Sequence, residues 1–189
     1  MPRVPYVSRE DLPPDKRAFY DQIASRRSHV ARPFAALLNS PEVAARVAAV
    51  GEQLRFASPV LPPDVREIAT LATAQQLGCQ YVWTHHVASA REAGVREQVI
   101  ETIRDGAPPR RLLPKEGVFV QFARELLGDR RVRGSTFTAV EHLLGVQGVT
   151  ELVVTIGYYA LMCYAVAALD VELEEGVQPL QVSSKAPAR

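Results

Sequence analysis

The sequence predicts an all-α protein, on three observations. None of its 14 prolines falls between Asp64 and Ala107 or between Lys115 and Gln178, so two long stretches lack the residue that most reliably interrupts a helix. Apolar residues recur at spacings of three and four, as in Val43, Val47, Val50 and Leu54. No segment shows a sustained strand alternation bounded by hairpin turns. With 189 residues, 47% hydrophobic and 23% charged, the chain is neither disordered nor a disulfide-stapled miniprotein, and one domain is expected.

Taken in order, residues 1–34 read as a proline-punctuated arm and a first helix carrying Phe19, Tyr20 and Ile23. A short helix follows near Phe34 to Leu38. Ser40 is placed to cap the next helix, with Pro41 in its first turn, Glu42 at the positive end of its dipole, and Val43, Val47, Val50 and Leu54 marking one face. After Pro59 to Pro63 a long helical region runs from Asp64 to Ala93 and closes at Gly94. Val99, Ile100 and Ile103 define a short helix ending at Gly106. Pro108, Pro109 and Pro114 then enclose a rigid loop bearing Arg110 and Arg111. Val118, Phe119, Phe122 and Leu126 carry another helix, ended by Gly128. Arg130 to Gly134 is a basic turn and Ser135 to Leu144 a short helix. Thr150 is expected to cap a long apolar helix running to about Asp170, and the tail 176–189 reads as loosely ordered.

Leu152 to Leu169 contains no charged residue and approaches a membrane-spanning length. Its three tyrosines, Thr155, Gly157 and the acidic flanks Glu151, Asp170, Glu172 and Glu174 argue instead for a helix buried on all sides, in the core or between subunits. Neither a membrane nor a nucleic-acid partner is expected. The net charge is only +1, from 22 basic and 21 acidic residues, and Arg130, Arg131 and Arg133 read as a solvated turn. Two cysteines and no readable secretory signal point to the cytoplasm.

Two spacings coincide. Glu67 precedes Cys79 by twelve positions and Glu151 precedes Cys163 by twelve, an offset of 84 that also aligns Val82 with Val166 and His86 with Asp170. An internal duplication is expected, with the histidine kept in the first copy alone. Chemistry concentrates there, in Gly78-Cys79-Gln80-Tyr81-Val82-Trp83-Thr84-His85-His86. On a helix Cys79, Val82 and His86 share a face. A break at Gly78 would put Cys79 at a helix N-terminus, where backbone N–H groups stabilise thiolate; without it, Glu67 points away from Cys79. Cys163 reads as packing. A zinc site from Glu67, Cys79, His85 and His86 is disfavoured, because adjacent histidines do not share a face and no Cys-x-x-Cys or HExxH spacing occurs.

Glu67, Cys79, Val82 and His86, with Ala93-Gly94-Val95 downstream, resemble the carboxymuconolactone decarboxylase and AhpD-like alkylhydroperoxidase superfamily over about residues 35–175. The resemblance implies an AhpD-like multihelical fold, trimers or hexamers, and no metal or organic cofactor. In the peroxidase branch a Cys-x-x-Cys pair does the work, and here Val82 stands where the attacking cysteine belongs. That favours the decarboxylase branch: His86 moves a proton, Glu67 orients its ring, and Tyr81 hydrogen-bonds an enolate oxygen. Val82 and Trp83 line the pocket, and Arg110 or Arg111 grips the carboxylate of a small organic acid. The rivals are a thiol peroxidase using Cys79 alone or with an external thiol, and a non-catalytic oligomeric binding protein.

Overall fold

The computed structural model describes residues 1–25 and 29–182. Among them are eight α-helices and no strand, as expected: α1 (Arg17–Ala24), α2 (Arg32–Leu37), α3 (Pro41–Glu52), α4 (Pro63–Gln76), α5 (Gln80–Glu92), α6 (Glu97–Arg104), α7 (Pro114–Arg124) and α8 (Gly134–Ala168). They fall into two units, Met1–Ser58 with Tyr164–Val177, and Pro59–Cys163 with the tail from Gln178. Much of the tail expected to be loosely ordered lies outside the described residues.

In the first unit α1 buries Ile23 and packs on α3. The arm before α1 is pinned by backbone bonds, Val7 N–H to Ala35 at 3.0 Å and Arg3 N–H to Leu169 at 2.9 Å. On α3 the buried face differs from the expected one. Val43 and Val50 are exposed, while Ala44, Ala45, Ala48 and Gly51 turn inward. Helix axes approach closely only over small side chains, so here size decides burial ahead of hydrophobicity. Pro41 opens the helix as predicted, and Ser40 occupies the cap position without a side-chain capping bond.

The second unit is organised around α4, whose residues 67–75 are all buried and which packs against α5, α6 and α7. The helix buried all round is therefore this one and not Leu152 to Leu169. Buried hydroxyls in α4 satisfy themselves: Thr70 donates to the Arg66 carbonyl at 2.9 Å and Thr73 to that of Ala69 at 2.7 Å. Gly94 and Gly106 end α5 and α6 with positive φ, as their positions predicted.

Three boundaries depart from expectation. After α7 the chain makes one wide turn over Glu125–Asp129, and the left-handed residue that ends it is Arg130 (φ 55°), not Gly128. Buried Glu125 holds this turn, accepting from Gln121 Nε2 (2.9 Å), Arg133 N–H (2.9 Å) and Thr136 Oγ1 (3.1 Å). Burial raises its pKa, yet these bonds together hold the carboxyl below its ordinary range. Within α8 the break lies at Gly145 (φ 69°, ψ 174°), so Thr150 is an interior residue, donating to the Val146 carbonyl at 2.9 Å, and caps nothing. Beyond the break α8 buries one face, including Leu152, Ile156, Tyr159 and Cys163, and presents Val146, Val153, Val154, Leu161 and Tyr164 outward. It is long and apolar enough by composition to span a bilayer.

The equal spacings do not give equal local structure. Glu67 and Cys79 are separated by the turn at Gly78, whereas Glu151 and Cys163 lie on one uninterrupted helix.

Candidate active site

Gly78 is left-handed (φ 64°) and divides the long helical region into α4 and α5. The Cys79 N–H bonds back to the Ala74 carbonyl at 2.8 Å, closing α4, and the Cys79 carbonyl accepts the first bond of α5 from Trp83 N–H at 3.1 Å. Cys79 is thus the N-cap residue of α5, with extended backbone. Its sulfur makes no formed side-chain cap bond, yet it sits at the positive end of the helix, where the first-turn N–H groups of Val82 and Tyr81 favour the thiolate.

Cys163, on α8, faces it. Both cysteines are buried free thiols, and the α8 face that carries Cys163 meets the α5 face that carries Cys79, since Tyr159, one turn before Cys163, sets its ring against His86. The two acidities diverge. The Cys163 thiol, then the Val82 and Tyr81 N–H groups, hold Cys79 below the ordinary thiol range against the opposing effect of burial. Cys163 is pushed strongly upward, first by its interaction with Cys79, then by burial and the Cys79 charge. Of the two thiols, Cys79 is the one that gives up its proton first.

Farther along the same face of α5, His86 Nδ1 lies 2.8 Å from Glu67 Oε2, and both residues are buried. An ionised carboxylate can only accept, so Nδ1 carries the hydrogen and Nε2 is left to exchange protons. The other Glu67 oxygen lies 3.4 Å from Arg66 Nε, so the buried carboxylate has two cationic or polar neighbours. The Tyr159 ring sets its edge against the imidazole, centroids 4.9 Å apart at 82°, and Tyr158 packs on Tyr159 at 5.2 Å.

The structure thus brings Glu67 to His86 and Cys79 to Cys163. Tyr81, expected beside His86, instead stacks on His85 with centroids 4.5 Å apart, because residues four apart on α5 share a face and Tyr81 lies five before His86. Val82 is buried on the Cys79 and His86 face, and Trp83 is fully buried core. Arg110 and Arg111, on a single turn of 3-10 helix, are exposed and line a hollow of about 420 Å³ with Gln98, Glu101, Thr102, Asp105, Ala107 and Pro108, a lining without His86 or Glu67. Among the described residues no three His, Cys, Asp or Glu side chains converge as metal ligands. Sequence reasoning missed Tyr159 altogether. It had aligned Cys163 with Cys79 through the 84-residue offset, but reading it as packing overlooked that two equivalent positions can meet.

The same helical architecture occurs in an uncharacterised peroxidase-related protein with an AhpD core from Ralstonia eutropha JMP134 (TM-score 0.74, 18% identity, covering 95% of this chain and 98% of that one). A peroxidase-related protein from Silicibacter sp. TM1040 is similar (TM-score 0.73, 16% identity, 93% and 94%). So is the debrominase Bmp8, solved as a cysteine-to-alanine variant with 2,3,4-tribromopyrrole (TM-score 0.72, 13% identity, 91% of each chain). No curated protein matches the sequence. The fold is that of the AhpD-like helical proteins. Residues 41–125, which include Glu67, Cys79, Val82 and His86, match the carboxymuconolactone decarboxylase family.

Proposed function

We propose that the protein is a thiol-dependent reductase of small organic hydroperoxides, with Cys79 as the attacking thiolate. The observation that carries this reading is the position of Cys79 at the α5 N-cap, where the positive end of the helix and the first-turn N–H groups favour its thiolate. A buried thiol without such donors stays protonated and inert. Val82, which cannot be a nucleophile, forms an apolar floor on the face that Cys79 and His86 share. In the reaction the thiolate attacks the peroxide oxygen, giving Cys79 sulfenic acid and an alkoxide. His86, held by Glu67, supplies the proton that converts the alkoxide to alcohol. The peroxidase-related neighbours of the same fold are consistent with such chemistry.

The His86–Glu67 pair favours a second reading, proton transfer on a small carboxylated or lactone acid. It ranks lower because Arg110 and Arg111 line a separate hollow, so the pair lacks the carboxylate clamp expected for a small organic acid. One set of variants separates the two. With cumene hydroperoxide and dithiothreitol, Cys79→Ser is expected to fall to the uncatalysed rate; full activity in that variant would discard the thiol reading. Turnover of a carboxylated lactone that survives Cys79→Ser and is lost in His86→Ala would establish the second.

A further inference from the structure

Cys163 has no part in the reaction as described, and it lies outside the residues that match the family. Yet it lies on the face of α8 that meets α5: Tyr159, one turn earlier, sets its ring 4.9 Å from that of His86, and the Cys163 thiol interacts with the reactive sulfur. It reaches that position from a different helix, α8, and both sulfurs are shielded, Cys79 at 7% exposure and Cys163 at 2%. An external thiol must first diffuse to an oxidised Cys79, whereas Cys163 is already beside it. Holding the second reactant in place converts a bimolecular step into a unimolecular one.

We propose that Cys163 is the second redox thiol of this site, closing an intramolecular disulfide with Cys79 in each turnover. The proposal rests on the reading of Cys79 as the attacking thiolate. In the first step that thiolate takes the terminal oxygen of the hydroperoxide, the O–O bond breaks, and a proton completes the alcohol. In the second the Cys163 sulfur attacks the Cys79 sulfenic sulfur, and the hydroxyl leaves with the Cys163 proton as water. An external dithiol then reduces the disulfide and carries away the two electrons. The sum is hydroperoxide plus dithiol giving alcohol, water and the dithiol's disulfide.

The contact also orders these steps. While Cys79 is a thiolate, its charge and its acceptor lone pair keep the proton on Cys163, so the two sulfurs do not compete for substrate. Oxidation to sulfenic acid removes that charge, and the reason for Cys163 to retain its proton weakens when its nucleophilicity is needed. Bond formation then requires the sulfurs to close to about 2.05 Å. Val82 leaves the Cys-x-x-Cys route empty, and a residue 84 positions downstream supplies the missing thiol.

The test is mass spectrometry of the full-length protein after one molar equivalent of hydrogen peroxide, without reductant, followed by peptide mapping. The expected result is loss of two hydrogens, a cross-linked peptide pair containing Cys79 and Cys163, and no dimedone adduct. In Cys163→Ser and Cys163→Ala the cross-link is absent and dimedone labels Cys79 stoichiometrically. Dimedone labelling of Cys79 in the wild-type protein, equal to that in the variants and without a cross-link, would overturn the role of Cys163 while leaving Cys79 as the attacking thiolate. No oxidation of Cys79 in any of the three proteins would overturn both. The wild-type map needs no substitution, so a variant that folds poorly does not blunt the test.

Discussion

The stretches 63–92 and 134–168 carry the same glutamate-to-cysteine spacing and shape it differently. In the first, Gly78 turns the chain, so Cys79 begins a new helix and lies at the positive end of its dipole. In the second, the chain breaks earlier, at Gly145, and Cys163 lies deep in α8, where the backbone N–H groups around it are committed to helical bonds. One glycine's position thus makes one thiol acidic and leaves the other protonated. The glutamates diverge likewise: Glu67 is buried against an imidazole, whereas Glu151 is half-buried and takes a 3.4 Å bond from Gln147.

The largest break in this comparison is expected from the glutamates. His86→Ala breaks the buried Glu67–His86 pair and is expected to destabilise by about 3 to 5 kcal/mol, the range for breaking a buried pair. Glu151→Ala is expected to cost about 1 kcal/mol or less. Urea unfolding of both variants measures the gap, and equal costs would mean that the two positions are equivalent after all.

The two glycines come next. Gly78→Ala and Gly145→Ala each force an L side chain into a left-handed conformation and are expected to cost about 1 to 2 kcal/mol. Only Gly78→Ala should also slow iodoacetamide capture of Cys79 at neutral pH, because only that break creates the α5 N-terminus.

The smallest effect is a pH dependence. Between the lowered Cys79 pKa and the ordinary thiol value of about 8.5, the folded protein binds one proton fewer than the unfolded chain, so stability rises with pH. Above about 8.5 the unfolded chain loses both thiol protons while the folded protein keeps that of Cys163, so stability falls. The stability difference from the double variant Cys79→Ser, Cys163→Ser should therefore peak near the ordinary thiol value; a flat difference would mean the two acidities are not split.

Much of this was legible in the chain. Proline-free stretches gave the helices, Gly94 and Gly106 their ends, and Gly78 before Cys79 the possibility of a catalytic cap. What was not legible involves partners remote in sequence. Tyr159 and Cys163 meet α5 through packing that no local pattern encodes, and a helical stripe does not say which neighbour it faces. On α3, valines outrank alanines in hydropathy, so the closely packed alanine face was hidden.

The lone tryptophan of this chain, Trp83, is buried at 2% exposure, four residues after the thiol cap and three before the imidazole on α5. Its indole is therefore a built-in optical gauge of the helix that carries both Cys79 and His86. Emission from that one fluorophore follows the packing around α5 during titration, oxidation or unfolding, with no label and no second tryptophan to disentangle.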